Sequence, residues 1–322
     1  MKKLFKTLGK IIAGVLILAL LLVIALAVIP LTERVAKAPA AGAGDWMAAL
    51  PDDRAISEIV IPGTHDCASQ NAQLGFITKC QALDIAQQLS IGARYLDVRL
   101  GAVDASLKLY HGFTKCKSSP LPWAAQIDLG DVLCDCYAFL DEHPGETILF
   151  AVKQEYGNLP DAEFDALLQT YVQRDADRWL TPDRLPTLGE ARGKLVLLRR
   201  YEGAGLSLLW TNQNGHDDTS RNTAAEDNGS YTLWVQDRYE YGAADKWAAF
   251  LAGLATAQTD GENAAVHFLS TKGALPQGHP WFFAQKLNPQ LLALDAKALN
   301  GWIVVDFLTP ELAQAIYGAN EG

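Results

Sequence analysis

The feature that most constrains the fold of this 322-residue chain is a rhythm of short apolar runs, each the length of one strand, separated by longer amphipathic stretches. The runs cover 55–61, 93–100, 107–111, 147–153, 194–200, 232–236, 265–270 and 302–306. Between or after them, apolar residues recur at helical spacing in 122–142, 161–171, 243–257, 289–299 and 310–317. Strands that alternate with helices pair in parallel, and eight of them predict an α/β fold of the closed (β/α)8, TIM-barrel type. The barrel should be irregular. The link from the second run to the third is too short for a helix, and 202–230 is long, polar and rich in Asn, Gly and Asp.

Ahead of this domain lies a different kind of sequence. Lys2, Lys3, Lys6 and Lys10 precede an uncharged apolar run from 11 to 31, with Glu33, Arg34 and Lys37 after it. The run is long enough to cross a bilayer, which takes about 20 apolar residues, whereas the apolar core of a secretory signal is usually about 7–15. Two readings stand for residues 1–34: a retained transmembrane anchor, or a signal segment cleaved among the small residues of 36–43. In both, the excess of Lys before the run keeps the N-terminus in the cytoplasm and sends the remainder outside. Residues 35–44, rich in Ala, Gly and Pro, read as a flexible tether, and 45–322 as one domain with no internal repeat.

A net charge of −10 leaves no basic footprint for nucleic acid. Membrane contact by the folded part must therefore lean on apolar side chains. Five cysteines in an exported chain permit disulfides, with at least one thiol left over. Cys134 and Cys136 lack the second ligand pair a structural zinc site needs.

In such barrels the chemistry sits at the C-terminal ends of the strands. The first run leads through Ile59-Val60-Ile61 to Pro62-Gly63, which should end the strand, and then to His65 and Asp66. The second ends in Asp97 and Arg99, the third in His111, the fourth in Lys153-Gln154-Glu155, the fifth in Arg199-Arg200, the sixth in Asp237 and Tyr239, the eighth in Asp306. Two histidines with separate acidic neighbours and interleaved cations suit attack on a phosphodiester. One group takes a proton from the nucleophilic hydroxyl, another gives one to the leaving oxygen, and fixed positive charge holds the phosphate. Arginine suits the last task because its planar fork pairs two phosphate oxygens.

At these residues the chain resembles the bacterial phosphatidylinositol-specific phospholipase C family. The similarity is carried by Ile61-Pro62-Gly63-Thr64-His65-Asp66, by Gly92-Ala93-Arg94-Tyr95-Leu96-Asp97-Val98-Arg99, by His111-Gly112, by Pro186-Thr187-Leu188-Gly189-Glu190, by Gln236-Asp237-Arg238-Tyr239 and by Trp302-Ile303-Val304-Val305-Asp306, and it runs from about 45 to 318. The resemblance implies that His65 is the general base for the inositol 2-hydroxyl, oriented by Asp306. It implies that His111 is the general acid for the diacylglycerol oxygen, with Asp66 as its partner. Arg99 would bind the phosphate beside Asp97; Lys153, Arg200 and Asp237 would hold inositol hydroxyls, with Tyr239 beneath the ring. The implied partner is phosphatidylinositol in a membrane surface, and the implied products are inositol 1,2-cyclic phosphate and diacylglycerol. Related eukaryotic-type enzymes place calcium ligands where Arg99 and Asp66 stand here, so no metal or other cofactor is expected.

The chain departs from the family at Cys67, where serine is commoner, and in its number of cysteines. Leu74, Phe76 and Ile77 are candidates for a membrane-facing rim or for core, and the cluster Trp281-Phe282-Phe283 reads as core. His143, His216 and His279 read as turn or loop residues, and His267 as a core or barrel-lining one. Two other readings remain: a barrel phosphodiesterase for a different head group, which Lys153, Arg200, Asp237 and Tyr239 oppose, and a non-catalytic inositol-lipid-binding module, which has no need of both a base and an acid. Nothing in the sequence sets the oligomeric state.

Overall fold

The computed structural model describes residues 2–28, 35, 38–121, 123–213, 224–273 and 278–321. A curled, mostly parallel sheet forms the body, an irregular TIM-type barrel. Its strands run β6 (Trp179–Leu180), β7 (Leu195–Arg199), β5 (Ile148–Tyr156), β2 (Tyr95–Val103), β1 (Ile61–Thr64), β12 (Trp302–Val305), β11 (Asn263–Phe268), β10 (Thr232–Gln236) and β9 (Ala224–Asp227) in spatial order, with β9 antiparallel at the edge. The helices that cover it are α3 (Ile85–Ser90), α4 (Leu129–Glu142), α5 (Asp161–Arg174), α6 (Leu188–Ala191), α7 (Ala243–Thr256), α8 (Pro280–Leu292) and α9 (Pro310–Tyr317).

Period-2 alternation sorts each strand into an outer and an inner face. Leu96, Val98 and Leu100 of β2 and Ile148, Phe150 and Val152 of β5 pack outward under the helices. Tyr95, Leu149, Ala151, Val196, Leu198, Leu233, Val235, Ala264, Val266, Trp302 and Val304 fill the interior. The interior is thus a packed core up to the level where the inward positions turn polar.

Four expectations need correction. The first strand is β1 at Ile61–Thr64, not 55–61, and Pro62 and Gly63 lie inside it. Proline is tolerated because Pro62 is at the first rung beside β2, where its carbonyl accepts from Arg94 N at 2.9 Å and no donor is required of it. Gly63 is required by closeness: a Cβ there would sit 2.9 Å from Tyr95 Cβ and 3.1 Å from Val304 Cγ2. The third run is not a barrel strand but β3 (Ser106–His111), which folds back antiparallel on β2 through Asp104 and Ala105, both at positive φ, and continues to β4 (Thr114–Lys115). The segment 289–299 does not start a helix at Pro289. That proline lies within α8, which begins nine residues earlier with His279 Nδ1 accepting from Trp281 N. Finally, the tether is folded at its end. Ala43 is buried, and the carbonyls of Ala43 and Gly44 accept from Arg94.

The eighth barrel position is split. β6 lines the first two residues of β7 and β8 (Leu206–Ser207) the last two. Among the described residues no ladder joins β8 to β10; Asn228 bridges instead, to Ser207 Oγ at 2.7 Å and to Leu209 N at 2.8 Å, and the Tyr231 hydroxyl donates to Ser207 O.

At the N-terminus, α1 (Lys2–Val28) carries the stretch Phe5–Ile24, apolar and long enough to cross a membrane, and none of it is buried. All five cysteines are free thiols. Cys134 is exposed and Cys136 buried, on opposite sides of α4, so the two do not converge.

Candidate active site

The polar groups predicted from strand ends are the next inward layer above the core. Two residues beyond Val304 comes Asp306; beyond Tyr95 come Asp97 and Arg99; beyond Ala151, Lys153; beyond Leu198, Arg200; beyond Val235, Asp237; beyond Ile61 and Gly63, His65. His111 joins them from the end of β3. A cavity of about 610 Å³ opens above this layer, lined by His65, Arg99, His111, Lys153, Arg200, Asp237, Tyr239 and Asp306 among others. Asp66 and Asp97 lie buried behind the lining. All ten expected residues are therefore brought together.

The two histidines face each other with ring centroids 6.1 Å apart and planes nearly perpendicular. His65 Nδ1 lies 2.7 Å from Asp306 Oδ1, and Arg99 Nη2 lies 2.9 Å from His65 Nε2. A guanidinium has only donors, so Nε2 must accept and the imidazole proton must be on Nδ1, donated to Asp306. This tautomer leaves a basic nitrogen toward the cavity. Burial pulls the His65 pKa down and Arg99 adds to that, but Asp306 and Asp66 outweigh them and the net shift is upward.

His111 is held differently. Its Nδ1 lies 2.6 Å from the carbonyl oxygen of Thr78, which can only accept, so Nδ1 carries a proton and Nε2 is the nitrogen nearest Asp66, at 3.4 Å from Oδ2. The same Asp66 oxygen lies 3.2 Å from Arg99 Nη1 and 3.7 Å from His65 Nε2. Burial pushes the Asp66 carboxyl up against the pull of Arg99 and both histidines. Asp66 is placed by a positive φ of 45°, which aspartate tolerates, and by its own N–H, which donates to Asp97 Oδ2.

Arg99 is the hub. Its Nε donates to Asp97 at 2.9 Å and its Nη1 to Glu155 at 3.3 Å. These carboxylates raise its pKa well above the ordinary value although burial works the other way. For Asp97, burial alone would raise the pKa, but Arg99, Arg200 and His65 hold it at about 2. Arg200 lies flat on Trp210, its guanidinium carbon 3.8 Å from the ring centre, with Nη1 3.5 Å from Asp97. Lys153 donates to Glu155 at 2.7 Å; burial and Arg99 lower its pKa despite that partner. Tyr239 presents its ring to the cavity and donates its hydroxyl to Asn212.

Several contributors carry no sequence signal of the kind sought. The Thr78 carbonyl acts through backbone. Gln81 donates to His65 O and Val305 O, tying the ends of β1 and β12 together beneath the histidine. Glu155 does stand at the end of the fourth run, where the sequence assigns it no role, and it is the third carboxylate on Arg99; Trp210 comes from the polar stretch after β8. Of the other histidines, His143 pairs with Asp45 at 2.8 Å, His279 caps α8, and His267 is buried against Asn300, where burial lowers its pKa to about 4. His216 lies outside the described residues.

Among the described residues, the ligand atoms close enough to share a metal ion belong to His65, Asp66 and Cys80, within 4.8 Å of one another. Arg99 already engages two of the three, through His65 Nε2 and Asp66 Oδ2. The donor set is thus filled by an internal cation.

Residues 53–201 match the family model "Phosphatidylinositol-specific phospholipase C, X domain". A 1-phosphatidylinositol phosphodiesterase of Staphylococcus aureus (strain Newman) is 28% identical over 282 residues, covering 82% of this chain and 88% of that protein. One from Listeria monocytogenes serovar 1/2a is 34% identical over 164 residues, 48% of this chain and 47% of that one. A solved Staphylococcus aureus phosphatidylinositol-specific phospholipase C superposes with a TM-score of 0.71 at 26% identity, over 85% of this chain and 98% of its own. The Listeria monocytogenes enzyme superposes at 0.66 with 22% identity, over 86% and 98%, a likeness of fold.

Proposed function

From the premise that the chain belongs to the phosphatidylinositol-specific phospholipase C X-domain family, we propose that it cleaves phosphatidylinositol to inositol 1,2-cyclic phosphate and diacylglycerol. The observation that carries this reading is the pair of histidines in complementary hydrogen-bonded states across one arginine.

His65 Nε2 takes the proton of the inositol 2-hydroxyl, and its oxygen forms a bond to phosphorus. The phosphate displaces the Arg99 guanidinium from His65 and takes up its Nη donors, so the charge that grows on the non-bridging oxygen meets a fixed cation. Asp306 holds the imidazolium that forms. As the bond from phosphorus to the diacylglycerol oxygen breaks, a protonated His111 gives that oxygen its Nε2 proton, while Thr78 O holds Nδ1. Asp66 accepts from Nε2–H until the leaving oxygen replaces it. Each histidine contributes on the order of 10²–10⁴ in rate. Lys153, Arg200 and Asp237 grip the inositol hydroxyls, and Tyr239 lies against the ring. No step needs a metal.

The site acts outside the cytoplasm, on lipid in a membrane surface. The test is to incubate the full chain with phosphatidylinositol, without added metal, and follow inositol 1,2-cyclic phosphate. Product from wild type but not from His65→Ala or His111→Ala is expected; equal product from all three would overturn the mechanism.

A further inference from the structure

The cavity is held from behind as well as lined. On one side α2 (Gly75–Thr78) offers its last carbonyl to His111. On another, beside the turn that follows β10, stands a charge the mechanism does not use: Lys246, fully buried near the start of α7. Stability alone does not ask for a cation there. Burial strips it of water, and the start of a helix is the positive end of the dipole, so the charge is disfavoured twice. Helical side chains lean toward the N-terminus of their helix, which carries the ammonium to the end of β10. Among the described residues Nζ makes one hydrogen bond, to Gln236 Oε1 at 3.0 Å. Burial lowers the lysine pKa to about 7, with Asp237 and Asp306 pulling it up and Arg238 pushing it down. His267 of β11 feels the same ammonium, which adds to the lowering that burial imposes on the imidazole. The carboxylates that act on Lys246 are thus two that the site itself uses.

Gln236 is what the ammonium reaches. It is the last residue of β10, fully buried, and it faces outward because Leu233 and Val235 face in. Its Oε1 also accepts from Arg238 N at 3.0 Å, and its Nε2 donates to Phe268 O at 2.8 Å. The first bond closes the turn that carries Asp237 and Tyr239 into the cavity. The second fixes the end of β11, whose Phe268 ring stands edge-on to His65 with centroids 6.2 Å apart. The ammonium and the Arg238 N–H can only donate, and the Phe268 carbonyl can only accept, so one orientation of the Gln236 amide serves all three.

We propose that Lys246 is a positioning residue for the substrate: through Gln236 it holds the turn that presents Asp237 and Tyr239 to the inositol ring. This role rests on the function proposed above. Lys246 is not among the residues that line the cavity, so it acts on binding far more than on the chemical step. The fold itself can dispense with the charge, since exchanging a buried ionic group for an apolar one of similar volume is often neutral or stabilising.

The test compares wild type, Lys246→Met, Gln236→Leu and the double variant, each as the full chain, on phosphatidylinositol in mixed micelles and by calorimetry with myo-inositol as the probe. Lys246→Met is expected to raise KM and the myo-inositol Kd about fivefold or more, with kcat within twofold and the urea midpoint at or above that of wild type. In the Gln236→Leu background the same substitution should change KM less than twofold, because the link it acts through is gone. Unchanged KM and Kd, a fall in kcat at constant KM, a further fivefold rise on top of Gln236→Leu, or a lowered midpoint would each overturn the role, the last by making Lys246 structural. A variant that matches an active wild type refutes this inference alone. A wild-type chain that neither binds myo-inositol nor releases inositol 1,2-cyclic phosphate refutes the function as well.

Discussion

Arg94 and Arg99 stand five residues apart, one just before β2 and the other midway along it, and they live in opposite circumstances. Arg94 is fully buried and each of its five N–H groups is matched: Nε by Glu146, Nη1 by Leu89 O and Ala93 O, Nη2 by Ala43 O and Gly44 O. Glu146 spends its other oxygen on Met47 N. Arg99 holds three carboxylates and a histidine, yet around it Asp66 Oδ2, Asp97 Oδ1 and Arg200 Nη1 are buried with no well-formed hydrogen bond. Burial lowers the pKa of Arg94 more than Glu146 restores it, whereas the carboxylates around Arg99 overcompensate. A completed set of bonds fixes the barrel floor. An incomplete one, facing a cavity, is arranged for a ligand that supplies what is missing.

The comparison can be broken by substitution at either end. The largest effect belongs to the mouth: His65→Ala and His111→Ala each lower kcat by about 10²–10⁴ while the urea midpoint stays near wild type. A large fall in midpoint instead would make these histidines structural. Next comes the floor. Arg94→Met leaves Glu146 charged, buried and alone, and costs about 3–5 kcal/mol of unfolding free energy, while the specific activity of the folded fraction is retained. Arg99→Lys keeps a charge but loses the fork, and lowers kcat by about 10²-fold, a loss that stopped-flow or product assays read without a matching change in stability.

A smaller and sharper test is pH. His65 must be neutral to act and its pKa is raised above 6.5, so kcat/KM falls about tenfold per unit on the acid side of that raised value, and Asp306→Asn moves the limb to lower pH. Stability runs the other way: a raised histidine pKa stabilises the fold fully below pH 6.5, and that contribution disappears as pH rises through the folded-state value. The smallest effect is that of a chelator. Dialysis against EDTA should leave the rate within twofold; a loss restored by calcium would mean that Arg99 does not supply the site's positive charge.

Much of the site was legible because inward strand positions alternate strictly. Once Tyr95, Ala151, Leu198, Val235 and Val304 are read as core, the polar residue two places on must face the cavity. What the alternation cannot reveal is anything held by backbone, so the Thr78 carbonyl behind His111 is invisible in the sequence, whereas Asp66, expected beside that histidine, lies 3.4 Å from its Nε2. Nor can local signals weigh tertiary fit. Pro62-Gly63 carries the chemistry of a chain break, yet the tight approach of Tyr95 and Val304 makes glycine the residue that lets β1 continue. The third run had strand composition but no helix before it, which is why it became a hairpin arm that delivers His111 sideways rather than a stave of the barrel.

The bridging of β8 to the opposite edge by Asn228 and Tyr231 has a mechanical consequence. Among the described residues, adjacent staves everywhere else share a ladder whose strength is spread over many bonds; here a few side chains act as buttons on a seam. Arg200 and Trp210 stand on one lip of it and Asp237 on the other. On the function proposed above, an inositol ring gripped by both lips fastens the garment from inside, so the wall with the least stiffness of its own is the one that the substrate completes.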